Sequence, residues 1–210
     1  MTETELQAVS AKLTEYDFHV LVDISGSMME PAKASNPSGP TRWDYVQETV
    51  MGLVRQIDKL DADGIDLILF RGNDASGVTF HKGVNATKLS EIFRNTNPGS
   101  RTPTAEALIE AFKHADGGKK DFFLVVTDGE PNDKGAVARA IIEQSQKQET
   151  DDACTILFLQ AGDDRAATAW LQQLDDNLTG AKFDIVDVKT VEEADKYNSA
   201  VELIAAAIAD

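Results

Sequence analysis

The sequence has one cysteine, Cys154. An intrachain disulfide is therefore impossible, and the disulfide-stapled scaffolds of small secreted proteins are excluded. Cys154 stands in the apolar run ACTILFLQ, where a small buried thiol is expected rather than a reactive one. Basic residues are also scarce: 20 Lys and Arg stand against 36 Asp and Glu, for a net charge of −16. No Lys/Arg cluster relieves that imbalance, so nucleic acid, whose phosphates attract basic patches, is not an expected partner. The same self-repulsion favours a monomer in isolation. No apolar run approaches the roughly 18 residues of a membrane-spanning helix, and no membrane association is expected. The stretch MTETELQAVSAKLTEYD lacks the basic start and apolar centre of a signal peptide, so a cytoplasmic location is the expectation. Pro/Ser/Gly linkers and internal repeats are missing as well. With 210 residues, 42% of them hydrophobic, the chain suits one α/β domain with a sizeable core.

What is present is an alternation of apolar runs and helix-period segments. FHVLVDIS (18–25), IDLILF (65–70), DFFLVVTDG (121–129), CTILFLQAG (154–162) and KFDIVDV (182–188) read as strands. GVTFHKGV (77–84) reads as an edge or antiparallel strand. Helical periodicity runs from Asp44 to Leu60 through Val46, Val50, Leu53, Val54 and Ile57. Further helices are expected over ATKLSEIFRN, TAEALIEAFKHA, GAVARAIIEQSQKQ, RAATAWLQQL and the tail VEEADKYNSAVELIAAAIA. Residues 1–16 are expected to form a short helix or arm, with the main domain over 17–210. Strands separated by helices of this length imply a doubly wound, mostly parallel sheet with helices on both faces.

In such sheets ligands sit outside the carboxyl ends of the strands. The first strand ends in Asp23-Ile24-Ser25-Gly26-Ser27, and FFLVV ends in Thr127-Asp128-Gly129. Gly99-Ser100-Arg101-Thr102-Pro103-Thr104 precedes the helix at 104. These loops are expected to open on one edge and to gather two carboxylates and three hydroxyls: Asp23, Ser25, Ser27, Thr102 and Asp128. An all-oxygen set suits Mg²⁺, Mn²⁺ or Ca²⁺, and the lack of Cys and His there disfavours zinc. Alternate residues leaving a strand point the same way, which lets 23, 25 and 27 converge, and Gly26 permits a tight turn between the serines.

Each feature has a plainer reading. Asp23 and Asp128-Gly129 suit turns, Ser25 and Ser27 suit caps, and Thr102-Pro103 suits a helix start. Together, in this order, DISGS, the threonine of TPT and TDGE resemble the metal-ion-dependent adhesion site of von Willebrand factor A domains. The order of elements resembles that family over roughly 17–190. Arg42-Trp43-Asp44 looks like what many bacterial members carry at the start of the first helix. The resemblance implies that Ser25, Ser27 and Thr102 contact the metal directly, and that Asp23 and Asp128 act directly or through water. It also implies that a sixth position is filled by water or by a Glu or Asp of a partner protein. Thr104 and Glu130 stand beside the set and are read as supporting it. The loop from Met28 to Pro40 is longer than in compact members.

Function on this reading is metal-dependent protein–protein interaction by an intracellular, non-enzymatic domain that works alone or as a subunit of a larger complex. Two alternatives stand beside it: a metal-dependent phosphatase or phosphotransferase, and a structural subunit with a closed metal shell. A haloacid-dehalogenase-type enzyme needs a second aspartate where Ser25 stands, and a receiver domain needs an acidic pair that is absent. No G-x-S-x-G, P-loop or G-x-G-x-x-G is present. His19, His81 and His114 are scattered, and Trp43 and Trp170 sit at helical positions suited to packing. Asp61-Ala62-Asp63-Gly64 is not a calcium loop, because Lys59 stands where the first ligand belongs.

Overall fold

A computed structural model describes residues 3–59, 63–115, 117–176 and 178–209. A helix, α1 (Glu3–Leu13), precedes β1 (Tyr16–Asp23), α2 (Arg42–Ile57), β2 (Ile65–Phe70), β3 (Val78–Val84) and α3 (Ala86–Arg94). Then follow α4 (Thr104–Phe112), β4 (Lys120–Thr127), α5 (Lys134–Lys147), β5 (Cys154–Gln160), α6 (Arg165–Asp176), β6 (Val186–Thr190), α7 (Val191–Ala194) and α8 (Ala200–Ala209). The strands form one sheet in the order β3-β2-β1-β4-β5-β6, in which only β3 is antiparallel. This is the doubly wound, mostly parallel sheet that the alternation implies. The expected turn at 61–64 and the expected helix end at Leu60 fall partly on 60–62, outside the described residues.

Both faces of the sheet are covered. On one face Phe18, Val20 and Val22 of β1 pack with α2, α3 and α8, and Leu13 of α1 joins them. On the other, Leu21, Phe123, Val125, Ile156 and Phe158 pack with α4, α5 and α6. Burial on both faces explains why β1, β4 and β5 read as continuous apolar runs. The half-exposed β3 is an edge strand, with β6 at the opposite edge. Trp43 and Trp170 are both core residues, as is Cys154, whose thiol burial pushes well above the usual range.

Among the boundaries that differ from expectation, three have a visible cause. Helix α2 begins at Arg42, two residues early, because Thr41 and Asp44 form a capping box. Strand β6 begins at Val186, four residues late. Lys182 is instead drawn to α5, its N–H donating to Ser145 Oγ and its Nζ to the Gln148 carbonyl. The tail is two helices, α7 and α8, parted at 195–199 where Asn198 bonds Glu202 and the Ala200 N–H donates to Gln56 of α2.

Strand order reverses between β1 and β4. The chain winds from β1 through β2 to β3, then returns to β4 on the other side. The carboxyl ends of β1 and β4 are therefore the switch point, where the flanking connections part and leave a crevice.

Candidate metal centre at the switch point

Asp23 closes β1 and Asp128 follows β4 at that crevice, and both are buried. Among the described residues Asp23 has no cation within hydrogen-bond reach. Its Oδ1 accepts from the Ser25 N–H at 2.8 Å and its Oδ2 from the Thr127 hydroxyl at 2.7 Å. Burial, with the nearby Asp128 carboxylate, pushes the Asp23 carboxyl up to about 7. Full burial of a carboxylate answered only by neutral donors is a costly arrangement that a bound cation would relieve.

Ser25 and Ser27 converge as the D-x-S-x-S spacing implies. Their hydroxyl oxygens lie 3.1 Å apart. Ser25 precedes a 3-10 turn over Gly26–Met29 but gives that turn no side-chain cap. Gly26 sits against the neighbouring loop: its N–H donates to the Ser100 carbonyl at 2.9 Å, and a Cβ there would lie 3.3 Å from that oxygen.

The loop carrying Thr102 is stitched to β1 and to β4's far loop. The Gly99 N–H donates to Ile24 O, and Ser100 adopts a left-handed φ of 73°. Asn132 then clamps Thr102 from both sides, accepting its N–H at Oδ1 and donating its own N–H to the Thr102 carbonyl. The Asn132 amide also reaches Gly72 O beyond β2, and the Gly72 N–H donates to Arg101 O. Thr102 does not cap α4; that position is Pro103, with no side-chain cap. Although Thr102 is only 7% exposed, its hydroxyl makes no hydrogen bond among the described residues.

Asp128 has a partner that sequence reading passed over. Arg42 Nη1, at the start of α2, donates to Asp128 Oδ2 at 2.8 Å. The same nitrogen lies 3.3 Å from the Ser27 carbonyl and 3.3 Å from Glu30 Oε2. Gly129, with φ of 109°, turns the chain away after Asp128 where a Cβ would strike Ala167 at 2.5 Å. The loop 28–40 is tied rather than free. Pro31 and Thr41 form a bridge, the Ala34 N–H donates to Asp163, and Lys33 pairs with Glu192 at 2.5 Å. It therefore leans toward the residues that follow β5 and β6.

The edge thus presents two aspartates, three hydroxyls and one resident guanidinium. Among the described residues no three His, Cys, Asp or Glu side chains converge to hold a metal, so any cation here depends on the hydroxyls. Such a neutral, oxygen-only donor set suits a hard divalent ion that keeps waters. Thr104 is buried as the first residue of α4, whereas Glu130 is exposed and pairs with Lys134 at 3.2 Å. The histidines lie elsewhere: His19 is inside β1 against Asp121, and His114 stacks on Phe80. Among the described residues no helix is long and apolar enough to cross a membrane.

Solved structures with this fold are diverse. Manganese-loaded Plasmodium vivax TRAP protein is 19% identical, with a TM-score of 0.62 over 86% of this chain and 71% of its own. The SpRpn10 VWA domain is 11% identical, with a TM-score of 0.59 over 90% of this chain and 93% of its own. The PilB minor pilin from Streptococcus sanguinis is 12% identical, with a TM-score of 0.58 over 92% of this chain; the chain spans only 60% of the pilin. No curated protein matches the sequence. The model of the von Willebrand factor type A domain matches residues 17–193. That span is most of the chain, and the protein belongs to the von Willebrand factor type A domain family.

Proposed function

We propose that this domain binds a partner protein through a divalent cation, Mg²⁺ or Mn²⁺, at the switch point. Domains of this family generally mediate protein–protein interactions, often with a metal. The observation that carries the reading is the pairing of a fully buried Asp23, lacking a cation, with the unbonded Thr102 hydroxyl across the same crevice. Ser25, Ser27 and Thr102 would hold the ion, with Asp23 and Asp128 supporting it directly or through water. A bound ion would offer a Lewis-acidic position to a carboxylate oxygen. The protein's own part is to fix the hydroxyls: Asp23 orients the turn through the Ser25 N–H, and Asn132 locks the Thr102 backbone.

The surroundings favour an acidic partner. Arg71 and Arg101 are exposed beside this edge, and neither has a carboxylate partner among the described residues of a chain with net charge −16. Met29, 52% exposed, adds an apolar contact next to Ser27. Among the described residues no histidine or lysine stands hydrogen-bonded to Ser25, Ser27 or Thr102 as a general base, which supports a binding role over catalysis.

Calorimetric titration of Mg²⁺, Mn²⁺ and Ca²⁺ into chelator-stripped protein tests the reading. One-site binding lost in Asp23→Ala is expected. Equal heats from both proteins, or none from either, would overturn it.

A further inference from the structure

Among the described residues, Arg42 is the cation that pairs with a buried aspartate of this edge, and its geometry is specific. Its side chain is 12% exposed, and its Nη1 meets Asp128 Oδ2 at 2.8 Å. The guanidinium passes over Gly162, where a Cβ would lie 2.7 Å from Nε; Nε itself is buried without a hydrogen-bond partner. The glycine, at φ of 95°, leaves room for the arginine. A cation held this way bonds Asp128 and the Ser27 carbonyl through one nitrogen while leaving its buried Nε unpaired, a cost to stability.

The charge balance gives it a purpose. Asp23 and Asp128 supply two negative charges, and Arg42 returns one positive charge. Glu30, 62% exposed at 3.3 Å, and the exposed Asp164, which caps α6 through the Ala166 and Ala167 N–H groups, also feel this guanidinium. Both face solvent and are screened, so they count little. A divalent ion added to the buried set leaves one positive charge in excess. Without Arg42 the same set would be neutral. A buried excess charge is expensive, and one external carboxylate cancels it.

We propose that Arg42 is a positioning and charge-setting residue: it pins Asp128 through Oδ2, weakens the site for the bare ion, and makes ion and external carboxylate bind cooperatively. The inference rests on the metal-binding reading and says which residue couples the ion to an anionic partner. By linkage the coupling is reciprocal: acetate tightens the ion, and the ion tightens acetate.

The test measures Mn²⁺ affinity by calorimetry for wild type, Arg42→Gln and Arg42→Lys, each with and without saturating sodium acetate at matched ionic strength. Circular dichroism checks that all three are folded. Arg42→Gln is expected to bind Mn²⁺ about tenfold or more tightly without acetate, since a nearby like charge has been removed. Acetate is expected to tighten Mn²⁺ several-fold in wild type and Arg42→Lys, and to leave Arg42→Gln unmoved. A merely structural arginine predicts the reverse, weaker Mn²⁺ binding on its removal. Equal or weaker binding by folded Arg42→Gln, or an acetate effect that survives in it, overturns this inference alone. No Mn²⁺ binding by any of the three overturns it together with the reading beneath it.

Discussion

The two edges of the sheet each carry a pair of aspartates, and they satisfy them differently. At the amino edge, His19 of β1 lies between Asp121 of β4 and Asp66 of β2, with Nε2 2.9 Å from Asp121 and Nδ1 3.8 Å from Asp66. The imidazole also stacks on Phe123 at 4.6 Å. That edge gives Asp121 an imidazole from the middle strand, while the ring's Nδ1 is buried without a hydrogen-bond partner. The carboxyl edge gives Asp128 an arginine and leaves Asp23 with an N–H and a hydroxyl only. The contrast teaches where a structure is closed and where it waits for something. Burial and residue type alone do not make a site; a fully buried carboxylate met only by neutral donors, beside an unbonded threonine hydroxyl, does.

The sharpest way to break this contrast is Asp23→Asn. The amide keeps an acceptor for the Ser25 N–H and removes a buried charge that Asp128 repels. Divalent-ion affinity is expected to fall by about 100-fold or more, as for loss of a group that orients or ligates a metal. In chelator, by contrast, the melting temperature is expected to rise by about 2–4 °C. The opposite signs separate a site from a scaffold. An asparagine variant that melts lower than wild type in chelator would show that Asp23 is there for stability.

The matching change at the other edge is His19→Leu. It removes the Asp121 hydrogen bond and the stack on Phe123 while keeping an apolar side chain in the strand. A loss of about 2–3 kcal/mol is expected in urea unfolding, typical of a buried hydrogen bond to a charged group. Divalent-ion affinity of the folded variant is expected to stay that of wild type, because the two edges share no side chain. A shift in ion affinity would mean that they are coupled through β1.

How much of this was legible in the sequence follows from distance along the chain. Asp23, Ser25 and Ser27 are two residues apart, and a strand end with one glycine is enough to read their convergence. The α2 start was equally local, since Thr41 and Asp44 spell a capping box that apolar periodicity alone overlooks. Arg42's bond to Asp128 spans 86 residues, and Asn132's clamp on Thr102 spans 30. The Arg42-Trp43-Asp44 stretch marks the arginine by resemblance but not its partner, and nothing local distinguishes that asparagine from a turn former. The late start of β6 and the break before α8 have the same origin. Lys182 is claimed by α5 and Ala200 by Gln56, contacts that no local pattern encodes.

Thr102 offers the smallest and most selective test. A hydroxyl that makes no hydrogen bond in a nearly buried side chain contributes nothing that a methyl group would not. Thr102→Val keeps the shape and the backbone bonds to Asn132, so stability in chelator is expected to change by no more than about 0.5 kcal/mol. The plainer view of this residue, a cap for α4, is already disfavoured because Pro103 holds that position. If the hydroxyl is a ligand, the valine variant loses about tenfold in divalent-ion affinity with its fold intact, a difference of about 1.4 kcal/mol that calorimetry resolves. Wild-type affinity in the valine variant would remove Thr102 from the set. The site would then rest on Ser25, Ser27 and the two aspartates, and the Asn132 clamp would be a device for holding loops together.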